Sequence, residues 1–173
     1  MNKTSYKISF AGLFIALGII IPYATSHVFG IAGTLLLPMH IPILLCGLIT
    51  GPVTGAICGL LVPLASSLIT GMPVMYPMLP IMAAQLTVMG FVSGMMRGVF
   101  KKSILISLIV SIVSGWAAYG IVFSLLGFVS RESIRALSMF SAISQGALGI
   151  GLQVVLIPPI VSLVSRSVVK DSR

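Results

Sequence analysis

Apolar residues run along this chain in six long blocks, with charges confined almost entirely to the stretches between them. The blocks cover roughly Ile8–Ser26, Leu35–Ile49, Val53–Ile69, Ile81–Met96, Ile104–Val129 and Met139–Val164. A helix needs about 20 mostly apolar residues to cross a bilayer. The pattern therefore predicts an all-α membrane protein of six transmembrane helices that use nearly the whole chain. Lys3 and Lys7 before the first block resemble a secretory leader, but the block's length and the spans after it mark a retained helix.

Prolines punctuate the pattern. Pro38 and Pro42 interrupt the second block, and Thr50-Gly51-Pro52 forms a tight turn into the third, because proline cannot continue a helix and glycine relaxes the backbone. The link Thr70-Gly71-Met72-Pro73-Val74-Met75-Tyr76-Pro77-Met78-Leu79-Pro80 is apolar, yet its prolines exclude a regular helix. Such backbone survives at membrane depth only when protein buries it or water wets it. Its methionines make it an adaptable apolar flap. Small residues four apart at Gly12 and Ala16, Gly55 and Gly59, and Gly90 and Gly94 let helix backbones approach, either within the bundle or against a partner.

Composition removes the soluble alternatives. Hydrophobic residues make up 58% of the 173 and charged residues 7%, against about 25% charged in a soluble domain. Residues 1–173 thus form one transmembrane domain without a soluble catalytic module. The net charge of +8 does not signal nucleic acid, because the basic residues lie between apolar runs. Lys3, Lys7, Arg97, Lys101, Lys102, Arg166, Lys170 and Arg173 fall on one side and only Arg131 and Arg135 on the other. Basic residues favour the cytoplasm, so both termini are expected there, with the links at 27–34, 70–80 and 130–138 outside.

Catalytic chemistry is missing. The chain has no Gly-x-x-x-x-Gly-Lys-Ser/Thr loop, no His-Glu-x-x-His and no Ser/His/Asp set. Cys46 and Cys58 lie in apolar segments as packing residues, with no metal-ligand spacing, and no cofactor is implied. The acids are Glu132 and Asp171 alone, neither within a span. Ion-coupled transporters usually carry an ionisable group inside the bundle, and His40 is the one that keeps such coupling open. Uphill movement of a solute therefore needs a partner's energy.

The few polar or amphipathic residues in or beside the spans are His27, His40, Gln85, Trp116, Tyr119, Gln145 and Gln153. Each glutamine is either interhelical glue or a ligand contact, and each histidine either structural or a ligand contact. Gln85 and Gln145 lie at similar depth near the outer face. Arg131 and Arg135 are either solvated loop charges or a bidentate site for carboxylate or phosphate. With Tyr76 on the flap, these residues outline a mostly apolar pocket with a few convergent polar groups.

The segment Leu37-Pro38-Met39-His40-Ile41-Pro42, then Cys46-Gly47-Leu48-Ile49-Thr50-Gly51-Pro52, resembles the substrate-binding S components of energy-coupling factor (ECF) vitamin transporters. Gly55 to Leu64, Gly71 to Pro80 and the opening Ala11 to Gly18 extend the likeness over essentially the whole chain. The resemblance implies six helices with cytoplasmic ends in the bacterial cytoplasmic membrane. It also implies an outer-face vitamin pocket roofed by the links after helices 1 and 3. The implied partners are a coupling membrane protein and two ATPase subunits, with the S component toppling in the lipid to carry its pocket inward. In the family an Ala-x-x-x-Ala motif on helix 1 docks on the coupling protein, and Gly12-x-x-x-Ala16 is its nearest match here. The subgroup is similar to S components for pantothenate, with relatives for cobalamin or pyridoxine. A stand-alone facilitator or channel is the competing reading, as is a structural membrane protein without a ligand.

Overall fold

The structure is a computed structural model that describes residues 3–25, 37–130 and 136–171, with side chains over 5–25, 37–127 and 146–164. All regular structure among the described residues is helical: α1 Lys3–Tyr23, α2 His40–Thr50, α3 Pro52–Thr70, α4 Met78–Gly94, α5 Ile104–Ser130 and α6 Ala136–Asp171. A π-turn, Met95–Val99, extends α4. Five stretches are long and apolar enough to cross a membrane, namely Ser5–Tyr23, Pro52–Thr70, Met78–Val99, Ile104–Gly127 and Gly146–Val164.

The second helix differs from the sequence expectation. The apolar run from Leu35 suggests a span, but Leu37 takes a positive φ of 47° and Pro38 and Met39 form a turn. The turn is closed by the His40 amide donating to the Leu37 carbonyl at 3.0 Å. Helix starts only at His40. Pro42, expected to interrupt it, sits third in α2, where a missing N–H costs nothing because the first four amides have no helical partner. Eleven residues rise about 16 Å, roughly half the hydrocarbon thickness.

This short helix is the centre of the bundle. Nine of its eleven residues are buried, as expected of a helix that is apolar all round, and it packs against α1, α3, α4, α5 and α6. Around Ile43, Leu44 and Leu48 gather Phe14 of α1, Cys58 and Val62 of α3, Leu86 and Met89 of α4, Leu108 and Ile112 of α5, and Ile157 and Val161 of α6. The outward faces carry Leu68, Ile109, Val113, Ile121, Val155 and Leu163 exposed, an apolar surface suited to lipid.

Glycine sets the closest contact, between α3 and α4. A Cβ on Gly55 would strike the Gly90 carbonyl, one on Gly90 the Gly55 carbonyl, one on Gly59 the Leu86 carbonyl, and one on Gly94 the backbone at Gly51–Pro52. Two of the three small-residue pairs thus serve internal packing. Gly12 does not: nothing lies within 4 Å of its Cβ position, and Gly12 and Ala16 are both exposed. Gly51, at φ 107°, makes the tight turn from α2 to α3. The proline-rich link after α3 is tied back to that helix, with Ser66 donating to the Met72 carbonyl at 2.7 Å and Ser67 to the Pro73 carbonyl at 2.8 Å.

Candidate substrate-binding site

Three side chains with buried polar atoms that the packing leaves unsatisfied, His40, Gln85 and Trp116, come from α2, α4 and α5. His40 opens α2 and is 2% exposed, yet neither imidazole nitrogen has a hydrogen-bond partner. Gln85, about two turns into α4, is also 2% exposed, and its amide nitrogen is unpartnered. Its side chain lies against the imidazole without a hydrogen bond of normal geometry between them. Trp116 of α5 is half-buried, and its indole N–H is likewise unpartnered and enclosed.

Backbone contacts put these groups at one level. A Cβ on Gly115 would lie 3.4 Å from the Gln85 carbonyl oxygen, so Trp116 begins beside Gln85. A Cβ on Gly146 of α6 would meet the Trp116 ring at 3.3 Å and Leu37 at 3.0 Å. Four elements therefore converge: the Leu37 turn with the start of α2, the N-terminal half of α4, the middle of α5, and α6 at Gly146. The absence of a side chain at Gly146 opens the room that the indole occupies, and at Gly115 it admits the Met89 side chain.

Trp116 also heads an aromatic row on α5. Its ring centroid is 5.4 Å from that of Tyr119, and Tyr119 stacks on Phe123 at 5.8 Å with 14° between planes. Tyr119 is buried, at 7% exposure. Beside the row, Trp116, Ala117, Gly120, Ile121, Ser124 and Leu125 line a groove of about 480 Å³ along α5. Trp116, Gly120 and Ser124 recur every fourth residue, so the groove follows one helical face. Its walls are apolar apart from Ser124, whose hydroxyl donates to the Gly120 carbonyl at 2.8 Å.

Buried polar groups are nearly always hydrogen-bonded, and each orphan costs about 1–3 kcal/mol. A cluster of orphans on converging helices is therefore a candidate binding site. The orphaned groups on Gln85 and Trp116 are donors, and an imidazole supplies at least one more. They would accept a ligand rich in carbonyl, hydroxyl or carboxylate oxygen.

The structure brings together His40, Gln85, Trp116 and Tyr119 from the sequence candidates. Tyr76 stands apart on the link before α4, 58% exposed beside Met72 and Met75. Gln145 lies in α6 next to Gly146, but its side chain is outside the described residues, as are His27, Arg131 and Arg135. Gln153, no more than one glutamine among three in the sequence, is fully enclosed in α6 with both amide atoms unpartnered. Its spacing of seven from Gly146 is the signal that marks it. No group of three or more His, Cys, Asp or Glu that could hold a metal occurs among the described residues. Cys46 and Cys58 are free thiols with sulfurs 3.3 Å apart, buried against α1.

Comparison with curated proteins and with solved structures finds no significant match. The profile of one protein family, the substrate-specific component of ECF transporters, matches residues 7–161. That span takes in all or most of each of the six helices and every element of the orphaned polar cluster. A transporter's substrate-binding subunit is not an enzyme, and its apolar helices make it a multi-pass protein of the cell membrane. On these grounds the chain belongs to the family of substrate-specific components of ECF transporters.

Proposed function

We propose that this chain captures pantothenate at the outer face of the membrane and delivers it inward with one coupling membrane protein and two ATPase subunits. The observation that carries the reading is the set of unpartnered groups on His40, Gln85 and Trp116 within a bundle otherwise packed by apolar residues. Pantothenate offers them an amide and hydroxyls, while its carboxylate suits Arg131 or Arg135 in the outer link. His27, Tyr76, Tyr119 and Gln145 complete the proposed pocket, with Tyr76 on its roof. The excess of Lys and Arg at the other end supports cytoplasmic termini.

A stand-alone channel fits less well. Inward of the cluster the bundle is filled by Ile43, Leu44, Leu108 and Ile112, and the hydroxyls of Ser107 and Ser111 donate to carbonyls at the preceding turn of the chain. With no phosphate-binding loop and no carboxylate within a span, ATP hydrolysed by partners is the consistent energy source. S components for cobalamin or pyridoxine would use the same cluster.

Gly12 and Ala16 are the proposed docking face. They lie on the side of α1 away from Phe14 and Gly18, which are buried against the bundle. Gly12→Leu is expected to remove the chain from a purified complex with the coupling module while leaving pantothenate affinity unchanged. Full recovery of the complex would remove Gly12 from the docking face. The function itself is tested by uptake in cells that require external pantothenate. Saturable uptake is expected only when this chain and the coupling module are both expressed. Uptake by the chain alone would establish a facilitator instead.

A further inference from the structure

We propose that Gln153 is the floor of the pocket, where its amide meets the leading end of an elongated ligand whose inner part is uncharged. The inference rests on reading the His40–Gln85–Trp116 cluster as the substrate site, and it adds the depth of that site and the chemistry of its inner end.

Gln153 is 0% exposed, and neither its amide nitrogen nor its amide oxygen has a partner. An amide so placed, donor and acceptor both unused, is a heavier cost than any single orphaned nitrogen nearby. It also lies in register with the cluster. Gly146 and Gln153 are seven residues apart, two turns of helix, so they share one face of α6. Buried Gly146, Gly149, Gln153, Ile157 and Val161 trace that face. Gly146 abuts Leu37 and Trp116, which places Gln153 about 10 Å further along the helix axis. Beyond it, Ile157 and Val161 belong to the apolar core. Gln153 is thus the last polar group on this face before solid packing.

The residue type limits the ligand. An amide donates and accepts, so it is satisfied by a group that does both, such as another amide or a hydroxyl. A carboxylate would leave the N–H2 paired and the oxygen opposed by negative charge. A cation would do the reverse. Among the described residues the spans carry no Lys, Arg, Asp or Glu between Ile8 and Met96 or between Ile104 and Gly127, so no side chain there would neutralise a charge at this depth. The ligand therefore enters with its neutral hydroxyl or amide end first and keeps any charge near the mouth.

Cysteine accessibility tests the floor without knowledge of the ligand. Gln85→Cys and Gln153→Cys are made singly in a chain carrying Cys46→Ala and Cys58→Ala. Intact cells are treated with a polar, membrane-impermeant methanethiosulfonate, and variants that purify monodisperse and melt no lower than the parent are scored. Labelling at both positions is expected, with Gln153→Cys within about tenfold of the rate at Gln85→Cys. Labelling at position 85 alone would end the pocket above Gln153 and overturn the proposal. Labelling at neither would remove the cluster as an outward-facing site, and the proposal with it.

A second variant addresses contact. Gln153→Leu is expected to raise the melting temperature, because two orphaned groups disappear, and to weaken pantothenate by about tenfold, the worth of one neutral hydrogen bond. A higher melting temperature with unchanged pantothenate affinity would assign the amide to a buried water and overturn the contact. If the unmutated chain binds no pantothenate, the substrate named above fails, and the labelling still decides the floor.

Discussion

Gly90→Leu is expected to abolish the folded monomer. The mutant should emerge from mild detergent as aggregate, while Gly151→Leu, made where nothing lies within 4 Å of the Cβ position, stays monodisperse on size exclusion. The reason is the reciprocal contact of α3 and α4. Each glycine's Cβ position is occupied by the other's carbonyl, and Ile43 of α2 stands 3.2 Å from the one on Gly90. Overpacking a core typically costs about 1–3 kcal/mol when side chains can yield. Here the obstacle is helical main chain, which cannot yield as a side chain can, and the only escape is to separate the two helices. In lipid no hydrophobic effect drives the helices back together, so close van der Waals packing is their principal attraction, and separation removes it. Gly90→Ala should move the melting temperature in the same direction by a smaller amount. A monodisperse Gly90→Leu protein with the parent's melting temperature would mean that α3 and α4 do not meet at these glycines.

The second large effect lies in the pocket and has opposite signs in two assays. Gln85→Leu should lower vitamin affinity by about tenfold or more, since a good hydrogen bond to a buried ligand is worth about 1.4 kcal/mol or more. The same variant should raise stability without ligand by about 1 kcal/mol, because leucine removes a buried donor with no partner. Such a trade is the mark of a site kept polar for function at the expense of stability. A glutamine serving as glue between helices would respond the other way, with stability falling and affinity following only as the fold loosened. Thermal melts with and without ligand, paired with equilibrium binding, separate the two cases.

Most of the helices are legible in the sequence because their apolar runs are long and their charges lie outside. Helices α3, α4 and α5 begin and end close to where the pattern places them, α6 contains the run that marks it, and α1 covers its run from Ile8 to Tyr23. The start of α2 is not legible. Leu35, Leu36 and Leu37 continue an apolar run, and nothing in hydropathy shows that Leu37 turns to a positive φ ahead of Pro38. Pro42 looks like an interruption because its depth within the helix depends on where the helix begins. The π-turn at Met95–Val99 has no signature of its own at the end of an apolar run.

At the site, residue types can be read from the sequence but neighbours cannot. Gln85 stands out as an amide in an apolar run, whereas its approach to His40 depends on how α2 and α4 cross. Depth near the outer face favours Gln145 over Gln153. Burial shows instead that Gln153 faces the bundle with its amide unsatisfied. The small-residue pairs read alike, yet Gly55 and Gly90 are pressed together while Gly12 faces outward. Spacing finds a smooth helical face; only the fold decides what covers it. His27, Arg131 and Arg135 lie outside the described residues, so their part in the pocket rests on the sequence and on the chemistry of the proposed ligand.

Whether the orphaned groups of His40, Gln85 and Trp116 form a vitamin site is decided by the ligand dependence of the purified protein's thermal stability. A ligand that binds only the folded state stabilises it by RT ln(1 + [L]/Kd), about 2.7 kcal/mol at a hundredfold excess over Kd. The protein would be melted against pantothenate, pyridoxine, cobalamin and the other B vitamins, with Gln85→Leu alongside. A clear upward shift with pantothenate is expected, and it should shrink in the variant. A folded protein whose melting temperature no vitamin moves would contradict the assignment of this cluster as a vitamin site.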